Sequence, residues 1–165
     1  MENDSGFLTS LPNITETDPI FTNSPAYQLT NSDVTYLQNG YVTKGQKSGT
    51  TLGNKVTAEG SDTTASGSFS HAEGINTIAS GDSSHAEGWN TTASGHYSHA
   101  EGYYTTASKN YSHTEGGSTT ASGLYSHAEG GSTIASGDHG HAEGWDTEAS
   151  ASSSHAEGFN TTASK

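Results

Sequence analysis

A histidine and a glutamate two residues apart recur seven times along this chain, in the phrase Ser-His-Ala-Glu-Gly and its close variants. The copies follow one another every 14 residues, and an eighth copy at 56–60 keeps the Glu and Gly but has Thr57 in place of the His. Imidazole and carboxylate groups are metal ligands and acid–base catalysts. An active site is a single place, whereas these copies are equivalent and the chain has no Cys. We therefore predict that the protein is not an enzyme and uses no cofactor.

The favoured interpretation of the repeated pairs is a polar interface between chains, held by charge-assisted hydrogen bonds. The predicted interface residues are His71, Glu73, His85, Glu87, His99, Glu101, His113, Glu115, His127, Glu129, His141, Glu143, His155 and Glu157. Two weaker alternatives stay open: a solvated face, and Zn²⁺ or Ni²⁺ held by the seven histidines on a threefold axis. Stacked glutamates repel one another, and we expect them to raise the pKa of the histidines, so that stability falls as pH rises.

The fixed period sets the architecture, because each unit buries its surface mainly against its neighbours. Each unit has two similar halves of the form Ser/Thr-x-Ala-x-Gly-x-x, such as 70–76 and 77–83. A coiled coil is excluded because there is no Leu/Ile pattern and nearly every heptad carries a helix-weakening Gly. Collagen is excluded because Gly is not every third residue.

A short strand in each half explains the pattern. Alternation places Ser70, Ala72 and Gly74 on one face and His71 and Glu73 on the other. The small residues then fill a thin coil, with their hydroxyls bonded to one another or to the backbone. Gly and the two variable residues form the corner, where positive φ is cheap for Gly. The sequence therefore predicts an all-β protein, a parallel β-roll of 14-residue coils stacked about 4.8 Å apart.

Composition indicates that one chain alone buries too little. Only 28% of the 165 residues are hydrophobic, against a usual value of about 45%. Disorder is the alternative that such a composition raises, but disorder does not require an exact register. We expect neighbouring chains to supply the missing burial. The net charge of −13 disfavours nucleic acid and anionic membranes as partners, and no apolar run is long enough for a transmembrane helix.

The chain divides once. Residues 1–55 do not repeat and hold all three prolines, and we predict an irregular, extended connector that takes part in trimerisation. Residues 56–165 form the β-roll, and 43–53 resemble a degraded leading repeat with Gly49 and Gly53 near the expected places. The first four residues lack the features of a secretion signal.

Two columns of aromatic residues fall at the corners. We expect them mainly to cover the coil corners, with an exposed surface for sugars or a receptor as the functional alternative. The candidate surface-binding aromatics are Trp89, Tyr103, Trp145, Phe159, Tyr97, Tyr111 and Tyr125.

The Ser/Thr-x-Ala-x-Gly phrase at seven- and 14-residue spacing resembles the YadA-like head repeat of trimeric autotransporter adhesins over residues 57–165. The resemblance implies a left-handed parallel β-roll, with three chains forming one head. That family often has aliphatic residues flanking the Ala, where this chain has His and Glu, as in His85 and Glu87.

The N-terminal segment carries a second resemblance. Residues 3–10, together with 17–26 and 29–34, resemble linker phrases of bacteriophage and prophage tail fibres. The two resemblances together lead us to expect a homotrimeric fibre segment in a phage virion, a rigid shaft or head that presents or contributes to binding of a host-cell receptor or glycan. The alternative is the head of a bacterial surface adhesin that binds host matrix or glycans.

Overall fold

The computed structural model describes the backbone of residues 42–46 and the whole of residues 51–165. Every regular element in these residues is a β-strand. The strands are β1 (Val42–Gln46), β2 (Thr57–Ala65), β3 (His71–Ile75), β4 (Ile78–Ala79), β5 (His85–Trp89), β6 (Thr92–Ala93), β7 (His99–Tyr103), β8 (Thr106–Ala107), β9 (His113–Gly117), β10 (Thr120–Ala121), β11 (His127–Gly131), β12 (Ile134–Ala135), β13 (His141–Trp145), β14 (Glu148–Ala149), β15 (His155–Phe159) and β16 (Thr162–Ala163). The described residues include no helix of the length and apolarity that crossing a bilayer requires.

The chain winds as a parallel β-solenoid of about eight 14-residue coils. Each coil after the first contributes one five-residue strand and one two-residue strand. The five-residue strands pair in parallel with their equivalents in the coils on either side, and the two-residue strands do the same. The long strand β2 belongs to both ladders and joins them into one sheet. The predicted all-β, parallel roll is confirmed at this level.

The register places each residue directly over its equivalent one repeat earlier. Ala86 of β5, for example, is level with Ala72 of β3 and with Ala100 of β7. Because side chains alternate along a strand, this register sends the same position of the repeat inward in every coil, and that position is Ala in each five-residue strand except at Thr114 of β9. A sequence period of 14 therefore becomes a set of columns that run along the solenoid axis.

The core is made of small side chains, as the alternation predicts. Ala72 and Ala79 have no exposed surface, and the Ser70 and Thr77 positions beside them are buried in nearly every coil. The largest fully buried side chain among the described residues is Val56, in the first coil. The two ladders thus enclose a lumen too narrow for Leu, Ile or an aromatic ring.

The buried hydroxyls fall into two groups. The Ser hydroxyls donate to a backbone carbonyl three residues earlier, as Ser84 Oγ does to the Gly81 oxygen at 2.6 Å. The expectation that the Thr hydroxyls are also bonded is wrong for the Thr77 column from Thr63 to Thr147, whose Oγ1 atoms have no hydrogen-bond partner in the described structure. The reason is spacing, because equivalent hydroxyls in neighbouring coils are about 4.8 Å apart, beyond hydrogen-bond reach. Thr161, in the last coil, donates to the Glu157 carbonyl at 2.9 Å.

The two corners of a coil use glycine differently. Gly74 takes a positive φ of 119° at the first corner, as expected for Gly. At the second corner Gly81 has no positive φ, and the left-handed residue is Ser83, with φ 54°. Gly81 matters for another reason, since a Cβ there would lie 1.9 Å from the carbonyl oxygen of Gly95 in the next coil and the backbone would have to shift. Lys109 and Ala151 carry side chains at the equivalent position of their coils.

A leading coil precedes the regular repeats. Strand β1 pairs in parallel with β2, with an irregularity between Lys44 and Gln46. Gly53 donates its N–H to the Ala65 carbonyl and stacks against Gly67, as later glycines do in their coils. These contacts support the degraded repeat inferred at 43–53. The rest of the predicted connector, residues 1–41 and 47–50, lies outside the described residues.

Candidate functional site

The seven His-Ala-Glu and His-Thr-Glu segments lie on one outer face of the solenoid, which we call the His/Glu face. In β3 the central Ala72 is buried, whereas His71 and Glu73 on either side point away from the lumen. The same alternation holds in each odd-numbered strand from β5 to β15. The fourteen predicted interface residues therefore form two parallel columns, one of imidazoles and one of carboxylates.

The imidazole rings form a continuous stack. Neighbouring ring centroids lie 4.6–4.9 Å apart, and the rings are close to parallel. His113 and His127 are the closest pair, at 4.6 Å with an interplanar angle of 3°. Each ring in the middle of the column therefore has both of its faces covered by other rings.

Each histidine also lies beside the glutamate of its own strand. The distance from His Nε2 to the nearest Glu oxygen is between 3.4 and 3.9 Å in six of the seven coils, all except the coil of His113. These distances allow electrostatic attraction, but no hydrogen bond forms. The Nε2 atoms of His71, His85, His99, His113, His127 and His141 are shielded from solvent and have no hydrogen-bond partner in the described structure.

Stacking lowers the basicity of the histidines. Burial lowers the pKa of His85, His113 and His127 below the usual value, and the charge of neighbouring histidines lowers it further. The neighbouring glutamates act in the opposite direction but more weakly. The expectation that the glutamates raise the pKa of these histidines is therefore wrong for these three, because desolvation outweighs the attraction.

The glutamates relieve their mutual repulsion by sharing protons. Hydrogen bonds with Glu115 and Glu143 raise the pKa of Glu129 to about 7. The hydrogen bond from Glu129 lowers the pKa of Glu115, while burial and the contact with Glu115 raise the pKa of Glu101. Protonated Glu129 thus donates to an ionised neighbour. Sequence reasoning expected compensation from protonated His or from Ser donors and missed this arrangement.

The aromatic residues lie at the corners, on the outside. Tyr97, Tyr111 and Tyr125 stack face to face, with centroid distances of 5.1 and 4.6 Å, and His139 continues the stack. Within this stack the facing ring surfaces cover one another, so only an end of the stack can present a ring face.

The other aromatic column is less regular. Trp89 meets Tyr103 edge to face at 5.3 Å, and Tyr103 meets Tyr104 in the same way at 4.5 Å. Trp145 and Phe159 are 58% and 75% exposed. Sequence reasoning did not include Tyr104, although the Tyr-Tyr doublet at a corner was a visible signal.

A column of polar corner residues was also missed. The Ser68 N–H donates to Asp82 Oδ1, the Asp82 N–H to His96 Nδ1, and the His96 N–H to Asn110 Oδ1, each from one coil to the next. These side chains accept from backbone donors that the corners leave unpaired. Their signal was the recurrence of Asp, His and Asn at the same position of the 14-residue unit.

Two groups on the His/Glu face have ligand atoms close enough to hold a metal ion. They are His141, Glu143 and His155, and Glu115, His127 and Glu129, and within each group the ligand atoms lie within 4.8 Å of one another. Both groups draw on neighbouring coils of a single chain.

The fold and this face define a parallel β-solenoid repeat protein with a periodic histidine and glutamate surface. Comparison with models of known protein families and with curated proteins finds no match to this chain.

Proposed function

We propose that this chain is one subunit of a homotrimeric, adhesive fibre segment. It serves as a rigid shaft or head of a phage tail fibre that presents or contributes to receptor binding. One observation carries the proposal: the buried core consists of Ala, Ser, Thr and Val, while twelve large hydrophobic side chains are 36–75% exposed. Such a distribution leaves a single chain with little apolar burial, and contact with further copies supplies it.

The geometry suits a mechanical role. Every coil is tied to the next along both ladders, so no flexible joint interrupts residues 57–163. At about 4.8 Å per coil, eight coils span about 38 Å. A solenoid lengthens by adding coils without changing its cross-section, which is the property a shaft requires.

The His/Glu face is the proposed contact between subunits. Six histidine Nε2 atoms on this face are shielded from solvent without a hydrogen-bond partner, and a buried polar group of this kind costs free energy. Glutamates or hydroxyls of another copy would supply hydrogen-bond partners for these imidazoles. The resemblance to trimeric adhesin heads supports three chains and a left-handed roll. The net charge of −13 argues against nucleic acid and anionic membranes as partners.

The virion location rests on the N-terminal phrases at 3–10, 17–26 and 29–34 that resemble tail-fibre linkers. The runner-up is the head of a bacterial surface adhesin, which the repeat itself resembles. The exposed Trp89, Tyr103 and Trp145 favour a binding role in either setting, because exposed aromatic side chains mark sites for sugars and receptors.

Measuring the mass of the full chain by light scattering and by sedimentation tests the trimer. Three chains are expected, and a stable folded monomer would overturn the proposal. A matched pair of variants locates the contact: His99→Asp on the His/Glu face should dissociate the trimer, whereas Thr106→Asp on the other ladder should leave it intact. Equal effects would contradict the assignment of this face.

Binding of the intact trimer to immobilised glycans and to bacterial cells tests the adhesive role. Trp145→Ala should weaken binding at least tenfold if the aromatic corner contributes to recognition. If the wild-type trimer bound neither glycans nor cells, its role would be that of a spacer, and the adhesive part of the proposal would be overturned.

A further inference from the structure

The strongest unassigned feature of the described chain is the group formed by His141, Glu143 and His155. It joins two neighbouring coils, since His141 and Glu143 lie on β13 and His155 lies on β15. The two imidazole nitrogens and the carboxylate oxygen lie within 4.8 Å of one another. We propose that this group binds a divalent transition-metal ion of the zinc type.

The donor set fits such an ion. Zinc accepts imidazole nitrogen and carboxylate oxygen at about 2.0–2.2 Å, in a tetrahedral arrangement. Two nitrogens on one tetrahedral ion lie about 3.3 Å apart, so each ligand atom has to move inward by less than about 1 Å. The side chains of His141 and Glu143 are each 36% exposed, so they have room to tilt. Calcium and magnesium are disfavoured because they prefer sites made only of oxygen ligands.

The state of the nitrogens is an independent argument. His141 Nε2 is shielded from solvent and has no hydrogen-bond partner in the described structure, although Glu143 lies 3.6 Å away. A nitrogen with no competing hydrogen bond, close to a second imidazole and a carboxylate, is available as a ligand. Glu157, whose oxygen lies 3.6 Å from His155 Nε2, is available as a fourth ligand.

The period of the face limits how many ions bind. Ions in consecutive coils would be about 4.8 Å apart and would repel each other strongly. The second group, Glu115, His127 and Glu129, shares no residue with the first and is separated from it along the axis. It has one imidazole instead of two, so it binds a borderline-soft ion more weakly. We therefore expect one tight ion and one weaker ion per chain.

The test uses the full chain with any polyhistidine tag removed and with metal stripped by a chelator. Titration with CoCl₂ should give the visible absorption of four-coordinate Co²⁺, and calorimetry with ZnCl₂ should give one tight event per chain. Metal binding should weaken in acid, because the histidines must be neutral to bind. Absence of the Co²⁺ spectrum with the metal in excess would overturn the proposal.

Three variants make the assignment specific. His155→Gln and Glu143→Gln change outer-face side chains, and each should weaken Zn²⁺ binding at least tenfold. His96→Gln is the matched control, because His96 also faces a carboxylate, Asp82 at 3.7 Å, but has no second imidazole. Binding that survives in His155→Gln, or that is lost equally in His96→Gln, would refute the site. Circular dichroism of each variant verifies its fold, and Glu143→Gln decides the result if His155→Gln does not fold.

The metal site and the trimer are separable. All of its proposed ligands come from one chain, so metal binding does not require any particular number of chains. Light scattering with and without Zn²⁺ reports the oligomeric state, while the Co²⁺ spectrum reports the ligands. A monomer that binds the ion would contradict only the proposed trimer. A trimer that does not bind the ion would contradict only the proposed metal site.

Discussion

A Cβ atom placed on Gly81 would lie 1.9 Å from the carbonyl oxygen of Gly95 in the next coil. A side chain at that distance requires the backbone to move, so this pair limits how closely the coils approach at the second corner, although Lys109 and Ala151 carry side chains at the equivalent position of their own coils. We predict that Gly81→Ala lowers the free energy of unfolding by about 1–3 kcal/mol, as overpacking does elsewhere. Chemical denaturation followed by circular dichroism measures the change.

The chain contains its own control for that prediction. Gly117 occupies a corner position where an added Cβ meets nothing within 4 Å, and its φ is not positive. Gly117→Ala should therefore leave the unfolding free energy within about 0.5 kcal/mol of wild type. If the two alanine variants were equally stable, close stacking of the coils at Gly81 would not be a constraint.

The buried threonine hydroxyls predict a stabilising substitution. Thr91 is fully buried and its Oγ1 has no hydrogen-bond partner, so the hydroxyl is desolvated without compensation. Thr91→Val keeps the shape and removes the polar atom, and we expect it to raise stability by about 1 kcal/mol or more.

Ser84→Ala should have the opposite sign. Ser84 Oγ donates to the Gly81 carbonyl at 2.6 Å, and its loss should lower stability by about 0.5–1.5 kcal/mol. Thermal melts of both variants give the signs directly. Destabilisation by Thr91→Val would show that the Thr hydroxyl has a partner.

The proton shared along the glutamate column predicts a response to pH. The pKa of Glu129 is raised to about 7 by hydrogen bonds with Glu115 and Glu143, so the folded state binds a proton that the unfolded state releases above its ordinary value of 4.5. The stability from this group is present below pH 4.5 and is lost as pH rises toward 7. Glu129→Gln keeps the neutral shape at every pH, so its melting temperature should increase relative to that of wild type between pH 4.5 and 7.

The histidines act with the opposite sign. Because burial lowers the pKa of His85, His113 and His127, the unfolded state takes up protons first, and stability falls as pH drops below about 6.5. The melting temperature of Glu129→Gln should therefore rise with pH as the histidines lose their protons. In wild type the opposite effect of Glu129 partly cancels this rise. Glu148→Gln, on the opposite ladder, is the control. A parallel pH profile for Glu129→Gln and wild type would exclude the shared proton.

The contact between Gly131 and Trp145 predicts a spectroscopic change without loss of stability. An added Cβ on Gly131 would lie 2.4 Å from the indole of Trp145, which is a movable side chain. Gly131→Ala should swing the indole further into water and shift its emission to longer wavelength. The measurement is made in a Trp89→Phe background, where Trp145 is the remaining tryptophan. Unchanged emission would mean that the indole does not lie over Gly131.

Much of the fold followed from local rules. The 14-residue period fixed the coil, and strand alternation placed Ala72 inside and His71 and Glu73 outside, because successive side chains on a strand point to opposite faces. Both rules act over a few residues, so they can be applied without knowing what lies in the next coil. The composition likewise indicated a core of small side chains.

The parallel repeat and the two sides of each strand could thus be derived from the residues alone. How the columns interact could not. The folded coils reveal that His113 and His127 stack with lowered pKa values, that hydrogen bonds with neighbouring glutamates raise the pKa of Glu129, and that the Thr91 hydroxyl is unbonded. These properties depend on desolvation and on the distance between equivalent atoms in neighbouring coils, and that distance exists only once the coils are stacked.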